Sequence, residues 1–249
     1  MSEIDAIYTV WLREMIIYIR QKERILASLA MPIFWLLIFG NSLRVSINLD
    51  SGLDYITFVA PGIIAMSLLF NSVSSGISII WDKELGFMKE MLVAPVSRVS
   101  LVLGKALGTA TTSLIQGTIV LIISILVGLK VDVMTFIITL PLMVLVSLGL
   151  VGIGISIGSL MNTIEGFQLV VNFIIMPMFF LSGALFPLKD LPTILRVVTY
   201  FNPMTYNVEL LRYVLAHSVS IPFFVSLTFV VVFSVLMIFL SAYLFSKKS

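Results

Sequence analysis

Cysteine is absent from this 249-residue chain, and histidine occurs once, as His217. Without thiols there is no disulfide framework, no cysteine nucleophile and no thiolate metal site. A lone histidine rules out a His-Glu-x-x-His helix, and no Gly-x-Ser-x-Gly turn is present, so the common zinc and serine-hydrolase arrangements are excluded and no metal is expected. Charge is equally scarce. Only 11% of residues are Asp, Glu, Lys or Arg, and a net charge of +2 is too small to point to nucleic acid. The only Gly-Lys pair, Gly104-Lys105, is followed by Ala106 and lacks the upstream glycine of a Gly-x4-Gly-Lys-Ser/Thr phosphate cradle, so ATP is not held in that manner. The long apolar runs hold no acid, Glu165 only bordering two of them, whereas a proton or sodium relay needs carboxylates at membrane depth.

What the chain has is greasy surface. Hydrophobic residues make up 59% of it and the mean hydropathy is +1.14, too little polarity to cover a soluble globule. Dividing the sequence at its charges leaves six uncharged spans, 25–43, 55–81, 106–129, 133–164, 166–188 and 213–246. Each is long enough to cross a bilayer as a helix, which takes about 20 residues. Runs such as IVLIISILV (119–127) are apolar on every face, unlike the alternation of a membrane barrel. The expected fold is therefore an all-α membrane protein with six transmembrane helices. The first 24 residues carry charges throughout, so the run from Ile25 is expected to act as an uncleaved anchor rather than a signal peptide.

Basic residues set the orientation. Arg13, Arg20, Lys22, Arg24, Lys83, Lys89, Arg98, Lys105, Lys247 and Lys248 fall on one side, and Arg44, Lys130, Lys189, Arg196 and Arg212 on the other. The excess on the first side places both termini in the cytoplasm. Residues 1–24 read as an interfacial helix and 25–249 as one membrane domain, with no internal repeat. In the former, Ile4, Ile7, Trp11, Met15 and Tyr18 form an apolar stripe and Arg13, Arg20 and Glu23 are expected to face water.

Gly104-x-x-x-Gly108 and Gly154-x-x-x-Gly158 allow close backbone approach, and Pro32, Pro141 and Pro177 are expected to kink their helices. The outer segment 181–218 is interrupted by Pro187, Pro192 and Pro203, which predicts two short helices, 190–200 and 204–216, dipping into or lying on the outer leaflet, with His217 solvated at the outer mouth. Neutral polar residues inside the spans, among them Asn71, Ser75, Gln116 and Asn172, either line a route for amphipathic cargo or join helix to helix.

Charge is concentrated in WDKELGFMKEMLVAPVSR (81–98), between the second and third spans. Read as a helix, it puts Phe87, Met91, Leu85, Met88 and Leu92 on an apolar face and Asp82, Lys83, Glu84, Lys89 and Glu90 elsewhere, with a possible turn at Gly86 and a stop at Ala94-Pro95. Such a helix either lays its apolar face in a groove on another protein or rests on the membrane.

This stretch, continued by LVLGKALG, resembles the cytoplasmic signature of type-2 ABC exporter permeases, E-x-G-x-x-(E/K)-x-(L/M)-x-x-x-P-(V/I)-(S/R)-R. FFLSGALFPLKDLPTILRVVTYFNPMTYNVELLR (179–212) and YITFVAPGIIAM (55–66) are similar to the daunorubicin-resistance and nodulation-factor exporter branch. The resemblance implies a homodimer, or occasionally a heterodimer, in the cell membrane, working with a separate ATPase subunit that carries ATP and Mg, with no cofactor bound by this chain. It implies that residues 82–93 form a coupling helix, with Glu84, Gly86, Phe87, Met88, Glu90, Met91, Leu92, Pro95 and Arg98 as the ATPase-coupling set. It implies an outer gate loop of Ser182, Gly183, Phe186, Pro187, Pro192, Asn202, Pro203 and Tyr206. Two other readings stand beside it: a membrane-embedded enzyme acting on lipid-linked substrates, and a non-transporting membrane anchor for an ATPase.

Overall fold

The computed structural model describes residues 2–42, 55–93, 95–188, 192–218 and 220–247, and among these no strand occurs. Helix α1 spans Glu3–Arg20 and begins in a capping box: Ser2 Oγ accepts the Asp5 N–H at 3.1 Å while Asp5 takes the Ser2 N–H at 2.9 Å. It is followed by α2 (Lys22–Ser42), α3 (Tyr55–Glu84), α4 (Phe87–Val93), α5 (Arg98–Val127) and α6 (Val133–Leu160). Then come α7 (Ile164–Val170), a π-turn (Val171–Ile175), α8 (Met176–Phe180), α9 (Thr193–Phe201), α10 (Pro203–Ala216) and α11 (Phe223–Lys247).

Four of these, α3, α5, α6 and α11, are long and apolar enough to cross a membrane. Two shorter apolar stretches, Ile25–Ile38 within α2 and Ile164–Phe180, accompany them. The difference from six uncharged runs has two sources. The run 25–43 reaches residues outside the described part, and the run 166–188 is cut after Phe180 by a turn with Gly183 at φ 76°. An uncharged turn is invisible to a count of charges.

The bundle is built around α3, whose residues are buried for most of its length. Helix α6 lies against it through the second glycine pair: a methyl added at Gly158 falls 2.4 Å from the Gly76 carbonyl oxygen, and one at Gly154 falls 2.6 Å from that of Val73. On the far side of α6, Gly149 and Gly152 admit Ser234 and Met237 of α11. Helix α11 is the least covered span and turns Phe224, Leu236 and Phe239 outward, as a lipid-facing helix does.

Pro32 and Pro141 sit inside continuous helices, as does Pro61. Pro177 is different: the preceding turn widens, and Met176 N–H bonds back five residues to the Val171 carbonyl. Proline has no N–H to give and its ring crowds the carbonyl four residues back, which a π-turn relieves.

Two surface assignments are corrected. The apolar stripe expected on α1 is divided: Ile4 is exposed, Met15 is buried, and the helix is seated along α5, with Ile7 and Val10 over Gly104 and Glu14 over Gly108. Its exposed apolar row is Ile4, Tyr8, Leu12, Ile16 and Ile19. Helix α10 begins close to the expected boundary, yet it is buried against α3, α6 and α11 rather than lying on the surface.

Candidate coupling site and outer loop

At the end of α3 a cluster of four charges joins three helices. Asp82, only 3% exposed, accepts from Lys105 Nζ of α5 at 3.0 Å and from both terminal nitrogens of Arg13 of α1. Lys105 Nζ also lies 3.3 Å from Glu14 Oε1. Arg13, expected in water, instead pairs with Asp82 and places its guanidinium 4.4 Å over the Phe87 ring. Burial lowers the Arg13 pKa, but the hydrogen bond and charge of Asp82, with Glu14, outweigh that and leave it raised.

Beyond the cluster the chain turns at Gly86, whose φ of 74° favours glycine. The expected coupling helix over 82–93 is therefore split: Asp82, Lys83 and Glu84 complete α3, and α4 starts at Phe87. Leu85, placed by periodicity on the apolar face, lies off the helix and is 75% exposed. Met88 is buried with Ile79, Leu101 and Phe245, whereas Glu84, Glu90 and Pro95 are exposed. Met91 and Leu92 lie on α4, but their side chains and Ala94 fall outside the description. Arg98, also exposed, donates to the Ser246 carbonyl and hydroxyl, tying the start of α5 to the end of α11. Glu3 accepts from the Ser97 N–H at 3.1 Å and its hydroxyl at 2.8 Å, which pins the start of α1 beside the start of α5.

The segment from α8 to α10 is organised by a second hidden ion pair. Arg212 Nη1 donates to Glu209 Oε1 at 2.6 Å, and Nη2 to the Gly183 carbonyl at 2.8 Å; the guanidinium lies 4.1 Å over Phe58. The other Glu209 oxygen accepts the N–H groups of Ser220 and Ile221. Ser182 Oγ is buried and donates to the Phe179 carbonyl at 2.6 Å. Asn202 caps α10 through the Met204 N–H and reaches the Met178 carbonyl, Pro203 opens that helix, and Pro192 precedes α9. Tyr206 donates to the Tyr200 carbonyl at 2.9 Å and stacks on Phe229, while Phe186 is exposed and Pro187 half-buried. His217 ends α10 in the left-handed conformation. Lys189 lies outside the described residues.

Of the polar residues nominated for a cargo route, Asn71, Ser75 and Gln116 share one cavity of about 50 Å³, too small for amphipathic cargo. Asn71 donates to Thr112 and Ser113, and Gln116 to Ser28, so both join helices. Asn172 is exposed on the π-turn and does not line that cavity. Asn71 also borders a larger groove of about 380 Å³ with Ser28, Met31, Met66, Phe70 and Met176.

The Asp82–Lys105 and Glu209–Arg212 pairs were not singled out from sequence. The second carried a signal, acid and base three apart on a helix; the first, 23 residues apart, carried none.

Residues 5–216 match the family model described as ABC-2 type transporter. The chain is 29% identical to "Putative transport permease ycf38" of Cyanophora paradoxa over 81% of this chain and 72% of that protein. It is 27% identical to "Nodulation protein J" of Rhizobium leguminosarum bv. viciae, covering 82% and 79% respectively. It is 27% identical to "Inner membrane transport permease YadH" of Escherichia coli (strain K12), covering 96% and 91%.

Proposed function

The chain belongs to the ABC-2 type transporter family, and from that premise we propose that it is the membrane permease of an ATP-driven exporter, coupled through α4 to a separate ATPase subunit. The observation that carries this reading is the insert itself. Phe87 and Met88 are gripped from inside by Arg13 and by the Ile79–Leu101–Phe245 cluster, while Glu84 and Glu90 stay exposed for a partner. A push on α4 is thereby delivered to α1, α3 and α5 together. ATP and Mg belong to the partner, whose bound and free states must differ in their contacts with α4 for work to be transmitted.

The working unit in this reading is a homodimer in the cell membrane, with six crossings per subunit and both termini in the cytoplasm. Helix α2, with 21 residues, is about 30 Å long and supplies one crossing beyond the four full-length spans; the Ile164–Phe180 stretch supplies the other. The excess of Lys and Arg on the side of Arg13, Lys83 and Arg98 supports the orientation. The loop held by Arg212 closes the outer end. Cargo is amphipathic: the groove beside α2 and α3 offers apolar Met31, Met66, Phe70 and Met176 with hydrogen-bonding Ser28 and Asn71 and no charge.

Co-purification with a Walker-motif ATPase tests the docking, and ATP-dependent uptake into inverted vesicles tests the transport. Phe87→Asp and Glu84→Arg are expected to abolish the first. Binding that survives both changes and deletion of 82–93 refutes docking through α4. Binding without transport favours an anchor, and uphill transport by the chain alone refutes the partner-driven mechanism.

A further inference from the structure

Helix α6 does not close its own C-terminal end. The last carbonyls of a helix have no intrahelical donor, and Met161, which follows Leu160, is extended at φ −89° and ψ 148°, so the left-handed turn that commonly closes a helix is missing there. Nor does a basic residue stand in the last turn of α6. The missing charge comes from another helix. Lys83 Nζ, on α3, donates to the Ser159 carbonyl at 2.7 Å and to those of Gly158 and Met161 at 3.1 Å each. An ammonium, with three rotatable donors and a positive charge, suits carbonyls converging at the negative end of a helix.

Consecutive residues of α3 thus grip different neighbours. Asp82 holds Arg13 of α1 and Lys105 of α5, while Lys83 holds α6. Lys83 lies about two helical turns beyond Gly76, whose backbone packs on Gly158, so it continues the α3–α6 seam to the end of α3. Just past it the chain turns at Gly86 and α4 begins. On the other side, the capped carbonyls lead directly into the 161–163 turn and α7, which Thr163 caps through the Gly166 N–H.

We propose that Lys83 is a positioning residue that makes the α6–α7 turn move with the corner carrying α4, so that a displacement of α4 reaches α6 as well as α1 and α5. Its part in transport rests on the reading that α4 docks on an ATPase; the mechanical link does not.

Because the chain has no cysteine, single pairs of spin labels test the link in lipid nanodiscs. Leu85→Cys with Asn162→Cys reports the corner against the α6–α7 turn, and Leu85→Cys with Leu12→Cys reports it against α1, which Asp82 holds. Dipolar electron paramagnetic resonance is expected to give one narrow distance for each pair. Lys83→Met broadens the first distance about twofold and leaves the second unchanged, whereas Lys83→Arg, which keeps the charge and donors, keeps the first narrow. A first pair that stays narrow in Lys83→Met, equal broadening of both pairs, or Lys83→Arg behaving as Lys83→Met overturns the proposal. In the complex, Lys83→Met is expected to retain the ATPase but to lower transport per ATP hydrolysed by roughly fivefold or more; an unchanged ratio overturns the part in transport. If even the unaltered chain captures no ATPase, docking through α4 fails, and the label distances alone decide the link.

Discussion

Asp82 serves two cations at once, and losing its charge leaves Arg13 and Lys105 to share Glu14 alone. Lys105 is 5% exposed and has no solvent to turn to. Asp82→Asn is therefore expected to destabilise the chain by roughly 3–5 kcal/mol, the cost of breaking a buried pair from one side. Thermal unfolding reads this directly. Glu3 sits at the opposite extreme of exposure: the hydroxyls of Ser100 and Ser97, with the Ser97 N–H, hold its carboxyl below the usual glutamate range. Because its folded pKa is depressed, the anchor between α1 and α5 is complete above the ordinary value and released as the pH falls through the lowered one. Hydrogen exchange of the 97–101 amides is expected to show an acid-triggered loss of protection that Glu3→Gln abolishes. At this scale the sequence was a poor guide. Counting Arg13 and Lys105 for topology treats each as a solvated charge, and nothing in local composition reveals that Lys105 meets an acid 23 positions earlier.

Helices meet where glycine lets backbones touch. At Gly158 an added methyl falls 2.4 Å from a backbone oxygen of α3, and backbone cannot step aside without moving the helix. Gly158→Ala is expected to cost about 1–3 kcal/mol. Gly166→Ala, whose nearest neighbour is the Thr163 hydroxyl at 3.2 Å, is expected to shift stability by less than about 0.5 kcal/mol. Parallel melts of the two variants make the comparison. The spacing of both glycine pairs was legible, since periodicity is a local property; their partners were not. Gly104 and Gly108 receive the N-terminal helix rather than another span. Helix α10 shows the same limit: the Asn202-Pro203 turn announced its start, but whether it dips in or lies on the surface stayed open, because the Glu209–Arg212 pairing that lets it sit inside the bundle requires the fold.

For the whole molecule, the absence of cysteine makes topology directly measurable. Leu85→Cys and Ile194→Cys occupy sites 75% and 79% exposed. An impermeant maleimide is expected to label the two from opposite membrane faces in right-side-out and inverted vesicles; labelling from one face alone contradicts the six-crossing arrangement. Composition gave the membrane class and the four longest spans, because hydropathy over some 20 residues outweighs any local detail. It overextended the run 166–188, where Gly183 turns the chain without a single charge.

The widened turn at Val171–Ile175 holds one residue more than an ordinary helical turn, and so resets the angular phase of everything after it by about 100°. Phe167 before it and Phe179 after it both point inward. Excising Asn172 together with Pro177→Ala closes the gap into an unbroken helix and keeps both rings at the same azimuth, so the folded yield on size-exclusion chromatography should survive. Excising Leu148 from α6, which has no spare residue to surrender, swings Gly154 and Gly158 away from their groove and should scatter the product into aggregate.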